Sequence, residues 1–174
     1  MATALSRSLL RGAAHLARLA VSIVWEAPQT TLGAMNLGLE LARRSVVDVT
    51  HEQGRIFVEL RAPRAVSLGH VVFWTTVDSP FVVVNPENKR HEYGHALQSR
   101  MLGPLYLAVV GAPSVLRVAY ASLQYVVTRR PWDGYYDGFP ESWADRLGGV
   151  VRRPRGCAQS SHPLGSTSQL RRST

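Results

Sequence analysis

Polar positions recur with helical spacing from the start of the chain. Arg7, Arg11, His15, Arg18 and Ser22 lie 4, 4, 3 and 4 residues apart, with Leu5, Leu9, Leu16, Leu19 and Ile23 on the other faces. This pattern predicts an amphipathic helix over residues 3–25. Three arginines within it argue against a membrane-spanning helix, and charges that run through the apolar stretch argue against a secretory leader. The preferred reading is a helix lying on a membrane or on the domain, with an organellar presequence left open. Pro28 closes the segment. Leu32, Met35, Leu39 and Ala42 then predict a second helix over residues 31–44, its two arginines in the last turn where the helix dipole favours cations.

The period changes to two after residue 50. Ile56, Val58 and Leu60 alternate with Arg55, Phe57 and Glu59 behind a Gln53-Gly54 turn, and β-branched and aromatic runs follow at 71–76 and 81–84. A small sheet of two or three strands is predicted. Asn88 is placed to cap a helix running through His91 and His95 to about Leu102, where Gly103-Pro104 ends it. Residues 104–127 are strongly apolar but interrupted by Gly111, Pro113 and Arg117, which predicts a buried hairpin or a re-entrant membrane segment. An aromatic, acidic loop (Trp132 to Asp137) precedes a last helix over residues 140–150. The Arg-, Ser-, Gly- and Pro-rich stretch 151–174 reads as a disordered basic tail. The resulting organisation is a basic amphipathic helix at 1–27, one domain at 28–150 and the tail at 151–174.

Composition sharpens this in two places. Hydrophobic residues make up 45% of the 174, enough for a packed core, and the single Cys157 excludes an intramolecular disulfide or a cysteine-based zinc knuckle. The net charge of +8 is concentrated at the ends: residues 1–25 carry +3, residues 146–174 carry +6, and −1 is left for 26–145. Such a distribution suits contact with an anionic membrane surface through the basic ends better than a nucleic-acid-reading face. The expected location is the cytoplasm, with association at the inner face of the membrane.

The chemistry is concentrated in the run HEYGH. Residues i and i+4 share one helical face, so His91 and His95 present two imidazoles to one point, the commonest protein donors for zinc. Glu92 stands beside the first of them, where a carboxylate can take a proton from metal-activated water. A zinc hydrolase needs a third protein ligand, and Asp133, Asp137, Glu141, Asp145 and His162 are the candidates downstream. His162 falls in the predicted tail. Glu141 and Asp145 stand at i and i+4 in ESWAD, so that Glu141 could complete the set while Asp145 orients a ligand histidine. Tyr135 and Tyr136, or Arg129 and Arg130, could donate to a developing oxyanion, although loop and rim positions are the simpler reading. His70 reads as a packed histidine, and Trp74 and Trp143 as core. No chemistry follows from Gln98 or Arg100.

HEYGH at 91–95 followed by ESWAD at 141–145 resembles the HExGH…ExxAD signature of the gluzincin metallopeptidases, most nearly the membrane-associated heat-shock and CAAX-processing proteases. The wider stretch HEYGHALQSRMLGPLYLAVVGAPS also resembles a group of uncharacterised bacterial proteins. The specific match covers residues 88–149, and about forty-five residues separate the two motifs. This resemblance implies zinc held by His91, His95 and Glu141, Glu92 as general base and Asp145 behind a ligand. It also implies an α+β minigluzincin fold, a small sheet packed on the motif helix, that hydrolyses a peptide or protein substrate. The alternative is a non-catalytic zinc-binding or membrane-associated structural protein.

Overall fold

The computed structural model describes residues 12, 21, 22, 24–82 and 87–152. Within them the chain is α+β, with four α-helices and one four-stranded mixed sheet. Gln53 and Gly54 both take positive φ, 52° and 74°, the paired left-handed conformation whose twist suits a two-residue hairpin. They join β1 (Val46–Glu52) to β2 (Arg55–Leu60) antiparallel. β2 runs parallel to β4 (Val71–Trp74), and β4 pairs antiparallel with β3 (Val66–Leu68), giving the order β1-β2-β4-β3. The sheet is thus larger than predicted by β1 and β3. Phe81 and Val82 form a bend instead of the predicted strand, whose remaining residues are not among those described.

The two-residue period of β2 decides which helix covers which face. Val58 and Leu60 join Val71 and Phe73 on one side, against Leu37 of α1 (Ala27–Ala42). Phe57 and Val72 point the other way, onto Ala96 and Tyr93 of α2 (Asn88–Leu102). Val58, Val72 and Phe73 are fully buried, each contributing on the order of 1.5–3 kcal/mol. A buried ion pair pins the layers together. Both Nη atoms of Arg55 reach the Glu26 carboxylate at 2.8 and 3.0 Å, and they also donate to the carbonyls of Gly69 and Ala96. Ser99 on α2 donates to the same Glu26 carboxylate.

Several expected boundaries move for identifiable reasons. Pro28 does not end a helix but occupies the first turn of α1, where its missing N–H is harmless. The helical hydrogen bonds run across position 26, from Glu26 N–H to Ser22 and from Thr30 N–H to Glu26. Residues 12, 21, 22, 24 and 25 are helical, and the rest of the predicted 3–25 helix lies outside the described residues. Asn88 is the first residue of α2 and not its cap; its side chain accepts the Thr75 N–H across the loop.

Residues 104–127 form neither a buried hairpin nor a re-entrant loop. A 3-10 turn (Gly103–Leu105) and a π-helical turn (Leu107–Gly111) lead directly into α3 (Ala112–Thr128). Pro113 is absorbed in the first turn of α3, and Arg117 turns back onto the Gly134 and Tyr135 carbonyls. A second 3-10 turn (Asp133–Tyr136) precedes α4 (Glu141–Gly148), within two residues of the predicted helix. Of the predicted tail, Val151 and Arg152 are described, and Arg152 packs on α4.

Candidate metal centre

The site is made where α2 and α4 touch, and two glycines set how closely. A Cβ on Gly94, the glycine of HEYGH, would stand 2.7 Å from the Ala144 carbonyl carbon. A Cβ on Gly148 would stand 2.9 Å from the Arg90 carbonyl carbon. Both distances are far inside ordinary contact, so only hydrogen at these positions lets the helices approach this closely. The approach carries Glu141, at the first turn of α4, over the His91–His95 face of α2.

Three donors converge there. Glu141 Oε2 lies 3.0 Å from His91 Nε2 and 3.1 Å from His95 Nε2, and the ligand atoms of all three residues lie within 4.8 Å of one another. Donors about 2.0–2.1 Å from a tetrahedral metal stand roughly 3.3 Å apart, close to these two distances. The opposite ring nitrogens are also committed. His91 Nδ1 is 2.7 Å from Asp145 Oδ1, and His95 Nδ1 is 2.7 Å from Gln98 Oε1. Both Nδ1 partners are acceptors, so Nδ1 carries hydrogen on each ring. The Nε2 atoms share hydrogen bonds with Glu141 while no metal is bound, and giving up that hydrogen would free two Nε2 lone pairs toward one point, as metal binding requires. The donor set therefore fits a metal ion.

Further contacts hold this arrangement in place. Gln98 Nε2 donates to the Pro140 carbonyl at 3.0 Å, fixing the amide that orients His95. Ser114 Oγ, on α3, donates to Glu141 Oε1 at 2.6 Å. Arg152 donates to both oxygens of Asp145, and its guanidinium lies 3.2 Å from the centre of the Tyr136 ring. Tyr136 in turn meets His91 edge to face at 5.1 Å.

Electrostatics separate the two glutamates. Burial alone would raise both, but the His91 and His95 hydrogen bonds hold Glu141 far below the usual carboxylate range. Glu92 has no such partner, and its pKa is raised, chiefly by burial. Ser67 of β3 donates to Glu92 Oε2 at 3.1 Å. For His91 burial favours the neutral ring, yet the bonds to Asp145 and Glu141 prevail and raise it to about 9. Burial pushes the Tyr135 and Tyr136 hydroxyls upward, so both stay protonated donors.

His91, His95, Glu141, Glu92 and Asp145 are therefore gathered in one buried site, with Tyr136 against His91. Tyr135 packs on Tyr136 with ring centres 4.8 Å apart. Asp133 and Asp137, weighed as ligands, are exposed and outside the donor group, and His162 is beyond the described residues. Arg129 and Arg130 are exposed at the end of α3. Gln98 acquires a role that its sequence position did not suggest, although its place three residues after His95 on the same helical face was a usable signal. Ser67, Ser114 and Arg152 come from other elements and carried none.

No protein-family model, curated protein or solved structure matches the chain.

Proposed function

We propose that the protein is a zinc-dependent metallopeptidase of minigluzincin type. The carrying observation is that two imidazoles, each tethered through Nδ1, turn their Nε2 atoms onto one Glu141 oxygen. The metal we propose is zinc, for which two histidines and a glutamate form a known three-ligand catalytic set. His91, His95 and Glu141 would hold it, and bound there it would supply Lewis-acid activation of water.

The remaining chemistry belongs to the chain. Glu92, raised by burial, is the carboxylate placed to accept a proton from water and return it to a leaving amine. Ser67 holds its carboxylate on one side. Asp145, clamped by Arg152, keeps the His91 ring in the ligating tautomer. Tyr136, edge to face with His91, and Tyr135 beside it are the candidate donors to a developing oxyanion. A peptide substrate is supported by β3, a terminal strand of the sheet that carries Ser67 beside Glu92. The Tyr106 hydroxyl occupies the Ser67 carbonyl, so a peptide added there would use the rest of that short edge.

The test is metal analysis of purified protein together with mass-spectrometric detection of cleavage in a mixture of unstructured peptides. Glu92→Gln is expected to keep stoichiometric zinc and lose turnover, and a fully active Glu92→Gln variant sinks the mechanism. Stoichiometric zinc in Glu141→Ala would remove Glu141 from the ligand set. One observation favours the second reading, a structural zinc site. His91, His95 and Glu141 are only 3%, 5% and 1% exposed, whereas a catalytic zinc keeps an open position. That reading predicts zinc-dependent folding and no cleavage by wild type.

A further inference from the structure

Helix Leu107–Thr128 is built with its polarity inverted. Val110, Ser114, Arg117 and Ala121, spaced 4, 3 and 4 apart, form the stripe facing the protein. Two of those four are polar, and they are spent on internal partners: Ser114 on Glu141, Arg117 on the Gly134 and Tyr135 carbonyls and the Trp132 ring. The outward side is apolar. Val115, Leu116, Leu123, Val126 and Val127 are 62–74% exposed, and only 11% of the helix's apolar window is buried within the protein. A water-facing helix has the opposite arrangement.

We propose that this outward face of Leu107–Thr128 is embedded in the hydrocarbon of an anionic lipid bilayer. Three features select lipid over a protein partner. The first is breadth: at about 100° per residue, positions 115–127 expose apolar side chains over about 200° of the circumference, twice the stripe that one packed helix covers. The second is length, since its 22 residues reach about 33 Å, near the ~30 Å of a hydrocarbon core. The third is charge. Exposed Arg129 and Arg130 follow the last turn directly, and the sequence of 153–174 adds four arginines without an acid. Arg129 and Arg130 suit anionic headgroups at the rim of the apolar face, and the further positive charge in the sequence favours an anionic surface.

The same inversion recurs in α1, which buries Gln29, Gly33 and Glu40 while Leu32, Met35 and Leu39 face outward. In lipid such a design is favourable, because polar side chains find partners inside and apolar ones need no cover. Ser114 joins the lipid-facing helix to the metal-binding carboxylate, so metal content reports whether a variant keeps its fold.

The test is flotation of the full chain with vesicles of phosphatidylglycerol and phosphatidylcholine, in low and high salt. Wild type is expected to float with the vesicles and stay with them in high salt. Leu116→Glu combined with Leu123→Glu changes two exposed positions, and it should lose at least tenfold of the bound fraction while keeping wild-type metal content and circular dichroism. In a Cys157→Ser background, an environment-sensitive label at position 116 or 123 should be quenched by lipid-borne quenchers, and one at exposed Asp48 should not. Complete release by high salt, or unchanged flotation of the double variant, overturns the proposal. So does a monodisperse protein in lipid-free buffer that fails to float, or a dimer formed there through this face. None of these readouts depends on peptide cleavage.

Discussion

Alanine at Gly94 should separate the two helices that make the candidate metal centre. The added Cβ would stand 2.7 Å from the carbonyl carbon of Ala144 and 3.0 Å from its Cα, with the carbonyl oxygen nearer still. Carbon pairs rest at about 3.5–4.0 Å, so α4 must withdraw by about 1 Å. The atoms in the way are backbone, and no rotamer change relieves them. Overpacking of this kind costs about 1–3 kcal/mol, which for a domain of this size lowers the melting midpoint by about 2–12 °C.

The effect on metal should be larger than the effect on folding. Glu141 rides on α4, and metal–ligand distances tolerate only about 0.2 Å, so a shift near 1 Å takes Oε2 out of the set. Titration against a chromophoric chelator should show zinc affinity at least tenfold weaker in Gly94→Ala. Melting with and without excess zinc gives a second measure. Zinc at a hundred times its Kd should stabilise the wild type by about 2.7 kcal/mol and the variant by much less. Wild-type zinc affinity in a Gly94→Ala protein with an unchanged midpoint would refute the claim that close helix approach builds the site.

Gln98→Ala removes the acceptor that orients His95 and should weaken zinc by about 10–100-fold. It also strips the Pro140 carbonyl of its buried donor, which should cost about 1–3 kcal/mol of zinc-free stability, so the chelator titration is made well below the melting midpoint. Arg55→Met leaves the fully buried Glu26 carboxylate without its partner and should cost about 3–5 kcal/mol in denaturant unfolding. Adding Glu26→Gln should recover part of that loss. His70 is held below its ordinary value of 6.5 by burial and then by the Arg55 charge, which outweigh the opposing pull of Glu26, with a lesser contribution from Arg100. Its folded pKa lies below its unfolded one, so the stability it supports is present above about pH 6.5 and falls as pH drops through that value. Melting midpoints between pH 7.5 and 5 should decline less steeply in His70→Asn than in wild type, and identical slopes would exclude His70 as the cause.

What could be read from the sequence was what lies within one element. His91 and His95 share a face because four residues turn a helix about once, and the same spacing aligns Glu141 with Asp145. The Gln53-Gly54 turn and the alternation of β2 are equally local. β1 left little trace, because most of its positions are exposed and it is a strand mainly through its pairing with β2. Asn88 resembled a cap because cap preference is local, and a tertiary partner, the Thr75 N–H, claimed its side chain.

Tertiary structure alone decided the rest. Glu141 meets the histidines across forty-five intervening residues because Gly94 and Gly148 allow two backbones to touch, and Gln98, Ser114 and Arg152 matter only once that contact exists. It also decided which way the apolar helix faces. Periodicity shows that Ser114 and Arg117 lie on one side of Leu107–Thr128, but a helix turned by half a revolution has the same sequence. The side that faces the protein is fixed by the partners Ser114 and Arg117 find there, Glu141 and the Gly134 and Tyr135 carbonyls.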